Sequence, residues 1–247
     1  MRKNSTLCLS SFIPDNKPVP PTRLLLIFLS EPLPGKVMSK LAETVGDENA
    51  ARIYQALVHV LLRQLNGLTD CRLRFCFAPE DAAEAIRFWL LPRIIDDESL
   101  QLDPSEIDFA YQGQGDFGER LERAFAAGFD QGYRKIGAIG TECIEVSSRW
   151  LHAAFAQLND KHDAAVGPTP DGRNHLLALQ RPAPELFRDF PSASPETFAA
   201  TLQRAKDSEL RVFQLPPLTR IETEGDYKKA LLGPLGPALR RAVKELG

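Results

Sequence analysis

Residue types that can do chemistry gather in five short stretches of the chain: 30–40, 112–120, 140–145, 167–175 and 218–226. Each holds glycine together with acid, base or both, which is more than a plain connection needs. Within the second stretch, Gly113-Gln-Gly115-Asp-Phe-Gly118 has the G-x-G-x-x-G spacing of a dinucleotide-binding turn, and Glu142 follows about where a ribose-binding acid would lie. Asp116 argues against that reading. A carboxylate inside the loop would repel a pyrophosphate and cancel part of the helix dipole. No G-x-S-x-G, H-E-x-x-H or G-x-x-x-x-G-K-[ST] occurs, which sets aside the serine hydrolases, zinc proteases and P-loop NTPases that those spacings build. Of the four histidines, His59 lies off the apolar stripe of its segment and reads as solvent-facing. His152 and His162 lack metal-ligand spacing, and only His175 falls in one of the five stretches.

The elements that must position these residues can be read from periodicity. Arg23 begins a continuous apolar run to Leu29, the pattern of a strand buried on both faces. A helix with apolar residues from Ala50 to Leu65 at spacings of three and four follows. Strands are then expected at 71–78, 107–112, 135–140, 163–167, 175–180 and 210–215, and helices at 80–91, 117–131, 147–159 and 195–207. The tail 224–246 reads as helical, interrupted at Gly233-Pro234 and again at Gly236-Pro237. Alternating strands and amphipathic helices imply βαβ units: a single α/β domain of three αβα layers, with a mostly parallel mixed sheet and one antiparallel insertion near 163–180. All five stretches then follow strands, at the edge where open α/β sheets bind ligands. The proline-punctuated segment 1–22 reads as a flexible extension, leaving 23–247 as the domain.

Composition bounds the function classes. Thirty basic residues oppose thirty-three acidic ones, a net charge of −3 that leaves no electrostatic footprint for nucleic acid or an anionic membrane. No apolar run is long enough to span a membrane. Four cysteines without a secretory signal point to a reducing, cytoplasmic setting. Cys71 and Cys76, five apart on one strand, face opposite sides and can share neither a disulfide nor a metal. All four thiols therefore read as structural or incidental.

Several blocks, in unbroken order, carry a family resemblance. Residues 25–46, with Pro32-Leu-Pro-Gly35-Lys36 and Ser39-Lys40-Leu41, resemble a strand followed by P-x-P-G-x-x-K-T-R-L. Gln112-Gly-Gln-Gly-Asp-Phe-Gly-Glu-Arg120 resembles Q-G-x-G-D-L-G-E-R, and Ile139-Gly-Thr-Glu-Cys143 resembles I-G-T-D-C-P. Val166-Gly-Pro-Thr-Pro-Asp-Gly172 is similar to V-L-G-P-A-x-D-G-G, and 215–226 to L-x-x-L-x-D-I-D-T-P-E-D. In this order the blocks resemble those of the radical-SAM/selenodomain-associated transferase family, which has a glycosyltransferase-A-like fold.

The resemblance implies a nucleotide-diphospho-sugar transferase architecture, and a glycosyl- or nucleotidyl-transferase using a nucleotide-activated donor with a divalent metal, manganese or magnesium. It implies nucleotide contacts at Gly35, Lys36, Ser39, Lys40, Gln114, Asp116 and Arg120, and a pocket including Arg173, His175 and Arg220. Candidate catalytic acids are Asp171 and Asp226. The physical chemistry agrees: glycine and ammonium groups after the first strand can meet a diphosphate, and strand-end carboxylates can hold a hard cation. Departures concentrate at the reactive positions. Glu142 stands for an aspartate, Arg173-Asn174-His175 for G-Y-Y, Arg220 for the first aspartate of D-I-D and Glu222 for the second. The metal is therefore expected through Glu142 and Glu222, in weakened or lost form. The alternative function is a catalytically degenerate nucleotide-binding or interaction protein on the same fold.

Overall fold

The computed structural model describes residues 22–192 and 194–246. The expected extension therefore lies outside the described residues, apart from Thr22, whose backbone N–H and hydroxyl both donate to Asp70 at 3.0 Å.

Seven strands form one sheet: β1 (Arg23–Ser30), β2 (Cys71–Ala78), β3 (Ile107–Tyr111), β4 (Lys135–Ile139), β5 (Ala164–Pro168), β6 (Asn174–Leu179) and β7 (Val212–Gln214). Their order is β3-β2-β1-β4-β6-β5-β7, and β6 alone runs antiparallel to its neighbours. The apolar run of β1 lies at the centre, flanked in parallel by β2 and β4. Its alternation divides the core. Leu25, Ile27 and Leu29 face α2 (Asp47–Gln64), α3 (Ala83–Asp96) and α5 (Ser148–Gln157). Leu24, Leu26 and Phe28 face α4 (Phe117–Asp130) and α6 (Thr197–Asp207). Each face removes a contiguous set of aliphatic and aromatic side chains from water, the dominant favourable contribution to folding. Cys71 and Cys76 fall in these two separate cores, and Cys143 is buried as well. Burial pushes all three thiols up to about 12, so they are protonated and unreactive. Cys8 lies outside the described residues.

The stripe on α2 is wide because the helix is buried on two sides. Tyr54, Val58 and Leu61 pack on the sheet, while Ile53, Leu57 and Val60 pack on α1 (Ser39–Val45) and α8 (Gly236–Glu245). The helical tail breaks once rather than twice, between α7 (Glu224–Leu232) and α8. Pro237 sits in the first turn of α8, where its missing N–H would have no partner in any case. The edge strand at 210–215 shortens to β7.

His59 departs from expectation. It is buried, with Nε2 2.7 Å from an Asp97 carboxylate oxygen that also accepts from Arg63 at 3.1 Å. The stripe on α2 points to the sheet, but the segment following α3 covers the flank where His59 lies.

Candidate functional site

The carboxyl ends of β1, β2, β3 and β4 open on two clefts of about 910 and 490 Å³ that share Ser30, Lys36 and Arg120 as the divide between them. The first loop is held at both ends. The Ser30 N–H donates to the Tyr54 hydroxyl at 3.0 Å, and the Lys36 N–H donates to the Leu33 carbonyl at 3.0 Å across a turn that puts Gly35 at a φ of 73°. Val37 is buried just beyond, so the turn delivers the Lys36 side chain into the clefts. Its ammonium makes no ion pair among the described residues.

The second loop is built on Gln112, which is buried and donates to the carbonyls of Leu29 and Cys76, tying two strand ends together. Its side-chain oxygen accepts from Arg120 at 3.0 Å, and the Arg120 guanidinium lies 5.6 Å from the Phe117 ring. Gly113 and Gly115 take φ values of 84° and 102° in the turn, and Arg123 beneath it donates to the carbonyls of Gln112 and Gln114. Asp116 closes α4 with its own carboxylate, 2.9 Å from the Glu119 N–H, while Glu119 reaches back to the Asp116 N–H at 2.8 Å. This capping box fills the position where a dinucleotide-binding turn would seat pyrophosphate. Gln114 lines the larger cleft, whereas Asp116 is a cap.

The remaining three stretches meet around Glu222. Arg173 donates to its two oxygens at 2.8 and 3.1 Å, and Lys40 donates at 3.0 Å. One nitrogen of Arg220, Nη2, stands 4.0 Å from Glu142 and 3.9 Å from Glu222. Backbone bonds fix this placement. The Thr219 N–H donates to the Glu145 carboxylate at 3.1 Å, and the Ile221 N–H donates to the Glu142 carbonyl at 2.9 Å. Burial alone would raise the Glu222 pKa, but bonds from Arg173 and Lys40 and the charge of Arg220 outweigh it and lower the value. Glu142 and Glu222 as arranged do not fit a divalent ion. Glu222 is engaged by two cations, and one Arg220 nitrogen stands within 4.0 Å of an oxygen of each carboxylate. No group of three or more His, Cys, Asp or Glu among the described residues is suited to a metal.

His175 lines the smaller cleft and is 3% exposed, packed where Gly167 leaves no Cβ to overlap its ring. Burial pushes its pKa down to about 4, so the ring is neutral near pH 7. Nε2 lies 3.3 Å from the Pro216 carbonyl, which can only accept, so the ring proton resides there and Nδ1 keeps its lone pair, without a partner. The two candidate acids are used locally. Asp226 caps α7, accepting from Thr223 N–H at 3.0 Å and its hydroxyl at 2.7 Å. Asp171 is exposed, accepts from the Thr169 hydroxyl and lies 3.4 Å from Arg173. Ser39 is exposed at the start of α1, and neither it nor Gly35 lines the two clefts. Gln112 and Tyr54 are the supports that residue typing did not single out. Gln112 opens the Q-G-x-G block, which was the available signal for it.

The fold matches solved structures. One, a provisionally named nucleotide-diphospho-sugar transferase from Desulfovibrio desulfuricans G20, is 25% identical, with 91% of this chain and 98% of that chain covered and a TM-score of 0.76. Another, 4-diphosphocytidyl-2C-methyl-D-erythritol synthase from Anaerococcus prevotii, is 12% identical, with 89% and 97% covered and a TM-score of 0.50. The chain thus has the α/β fold of nucleotide-diphospho-sugar transferases and cytidylyltransferases. Residues 61–194 match DUF2064, described as an uncharacterized protein conserved in bacteria, and the chain belongs to that family. No curated protein matches it in sequence.

Proposed function

We propose that the protein is a transferase that holds a nucleotide-activated donor across the two clefts and transfers its glycosyl group, with nucleotidyl transfer as the closely related option. The observation that carries this reading is the convergence of Lys36 and Arg120 on the divide between the clefts. The clefts differ in charge. Glu31, Glu80 and Asp81 line the larger one, suited to accept N–H donors from a base. Arg173 and Arg220 join Lys36 and Arg120 in the smaller one. A donor lying with its base in the first cleft and its diphosphate at the divide directs the transferred group toward His175. Negative charge that develops on the departing phosphate oxygen is then met by the cations of Lys36 and Arg120, which stabilise charge where it appears in the transition state.

A second reading has an observation of its own. Asp171 and Asp226 are spent on a turn and a cap, which favours nucleotide binding without turnover. One experiment separates the two. The protein is incubated with UDP-, GDP-, CDP- and ADP-sugars, and separately with the four nucleoside triphosphates and a sugar phosphate; release of nucleoside diphosphate from the former, or of pyrophosphate from the latter, is followed chromatographically. Release that Lys36→Ala abolishes supports the transferase. Binding without release in every case supports the non-catalytic reading.

A further inference from the structure

Resting on that reading, we propose that Arg220 is the resident cation of the diphosphate subsite, and that the cleft takes a nucleoside diphosphate without a divalent metal. Two loops bring Glu142 and Glu222 within reach of a single guanidinium nitrogen, at 4.0 and 3.9 Å. Two carboxylates in one shielded pocket repel each other unless a cation lies between them, and here the chain supplies that cation itself. The backbone bonds of Thr219 and Ile221, on either side of residue 220, leave little freedom to withdraw it.

Arg220 and Arg173 have different tasks. Arg173 spends both terminal nitrogens on Glu222, so it acts as a strut. Arg220 makes only the two longer charge contacts through Nη2. Its Nε and Nη1 donate to no group among the described residues, and its side chain is 19% exposed on the cleft wall. A guanidinium with a free planar edge is the group that grips a phosphate with two parallel bonds. The cleft's charge is consistent with this. Lys36, Arg120, Arg173 and Arg220 line it against the carboxylates of Glu142 and Glu222, leaving an excess of positive charge for an anionic ligand. A divalent ion entering between the carboxylates would lie beside a charge that arginine cannot lose by deprotonation.

The test is calorimetric titration of the full chain with ADP, CDP, GDP and UDP, in EDTA and in millimolar manganese. For the tightest of the four, the parent is expected to show affinities within about threefold of each other in the two buffers. Arg220→Gln, which removes the charge but keeps polar bulk, is expected to weaken binding in EDTA by about ten- to a hundred-fold. Arg220→Asp is expected to make the remaining affinity depend on manganese. Parent binding that needs manganese overturns the inference while leaving the nucleotide reading intact, and so does unchanged affinity of Arg220→Gln in EDTA. Failure of all four nucleotides to bind in either buffer overturns the nucleotide reading and this inference with it. If a variant does not fold, the parent's two buffers decide.

Discussion

Removing the charge of Glu222 while keeping its shape tests whether the cluster is held together as described. In Glu222→Gln one oxygen remains to accept from Arg173, so one of the two short bonds survives in weakened form and the other is lost. Arg173 is only 10% exposed, so its guanidinium cannot recover the missing partner from water. Lys40 is 51% exposed and is expected to contribute little, since solvent screens it. Losing one charge-assisted bond with a buried partner costs ~2 kcal/mol. For a chain of this length that corresponds to a fall in melting temperature of ~4–8 °C at pH 7. The sign of the pH dependence follows from the lowered Glu222 pKa. The folded state binds the proton less readily than the unfolded state, so the carboxylate's contribution is complete above the ordinary value of 4.5 and disappears as pH falls through the folded value. Melting followed by circular dichroism across pH should show the gap between parent and variant narrowing below pH 4.5. Equal melting temperatures at pH 7, or a gap that acid leaves unchanged, would refute the reasoning.

Two further outcomes follow from buried groups away from Glu222. His175 is held neutral while the unfolded chain takes up a proton below pH 6.5, so the parent should lose ~2 kcal/mol of stability between pH 6.5 and 5, a loss that urea unfolding of His175→Gln should lack. Asp108→Asn removes the charge and one of the two oxygens that accept from the buried Arg74 at 2.7 and 2.9 Å, and should lower the urea midpoint by the equivalent of ~2 kcal/mol; an unchanged midpoint contradicts that pairing.

The sheet was legible because its signal is local. The run in β1 and the stripe on α2 are written in consecutive residues, and βαβ alternation then restricts the topology. Long-range pairing was not legible. His59 looked solvent-facing because its cover, Asp97, is 38 residues away. Arg74 interrupts an apolar strand and is explained only by its register partner Asp108 on β3. The same limit applied to the site. The family resemblance pointed to Lys36, Arg120, Glu142, Arg173 and Arg220, and the fold brings all five to one cleft. Which carboxylates serve as caps was hidden for Asp226, although Thr223-x-x-Asp226 has the spacing of a capping box. That Glu142 and Glu222 would share one guanidinium depends on loops 80 residues apart in sequence.

The central claim is that the divide between the clefts receives a diphosphate. Lys36 tests it most directly, because its ammonium makes no ion pair among the described residues and its removal leaves the cluster around Glu222 intact. Calorimetric titration of the parent and of Lys36→Ala with the tightest of ADP, CDP, GDP and UDP should show affinity falling by about ten- to a hundred-fold, with an unchanged melting temperature in the absence of ligand. Equal affinity of parent and variant for every nucleotide that binds would contradict it.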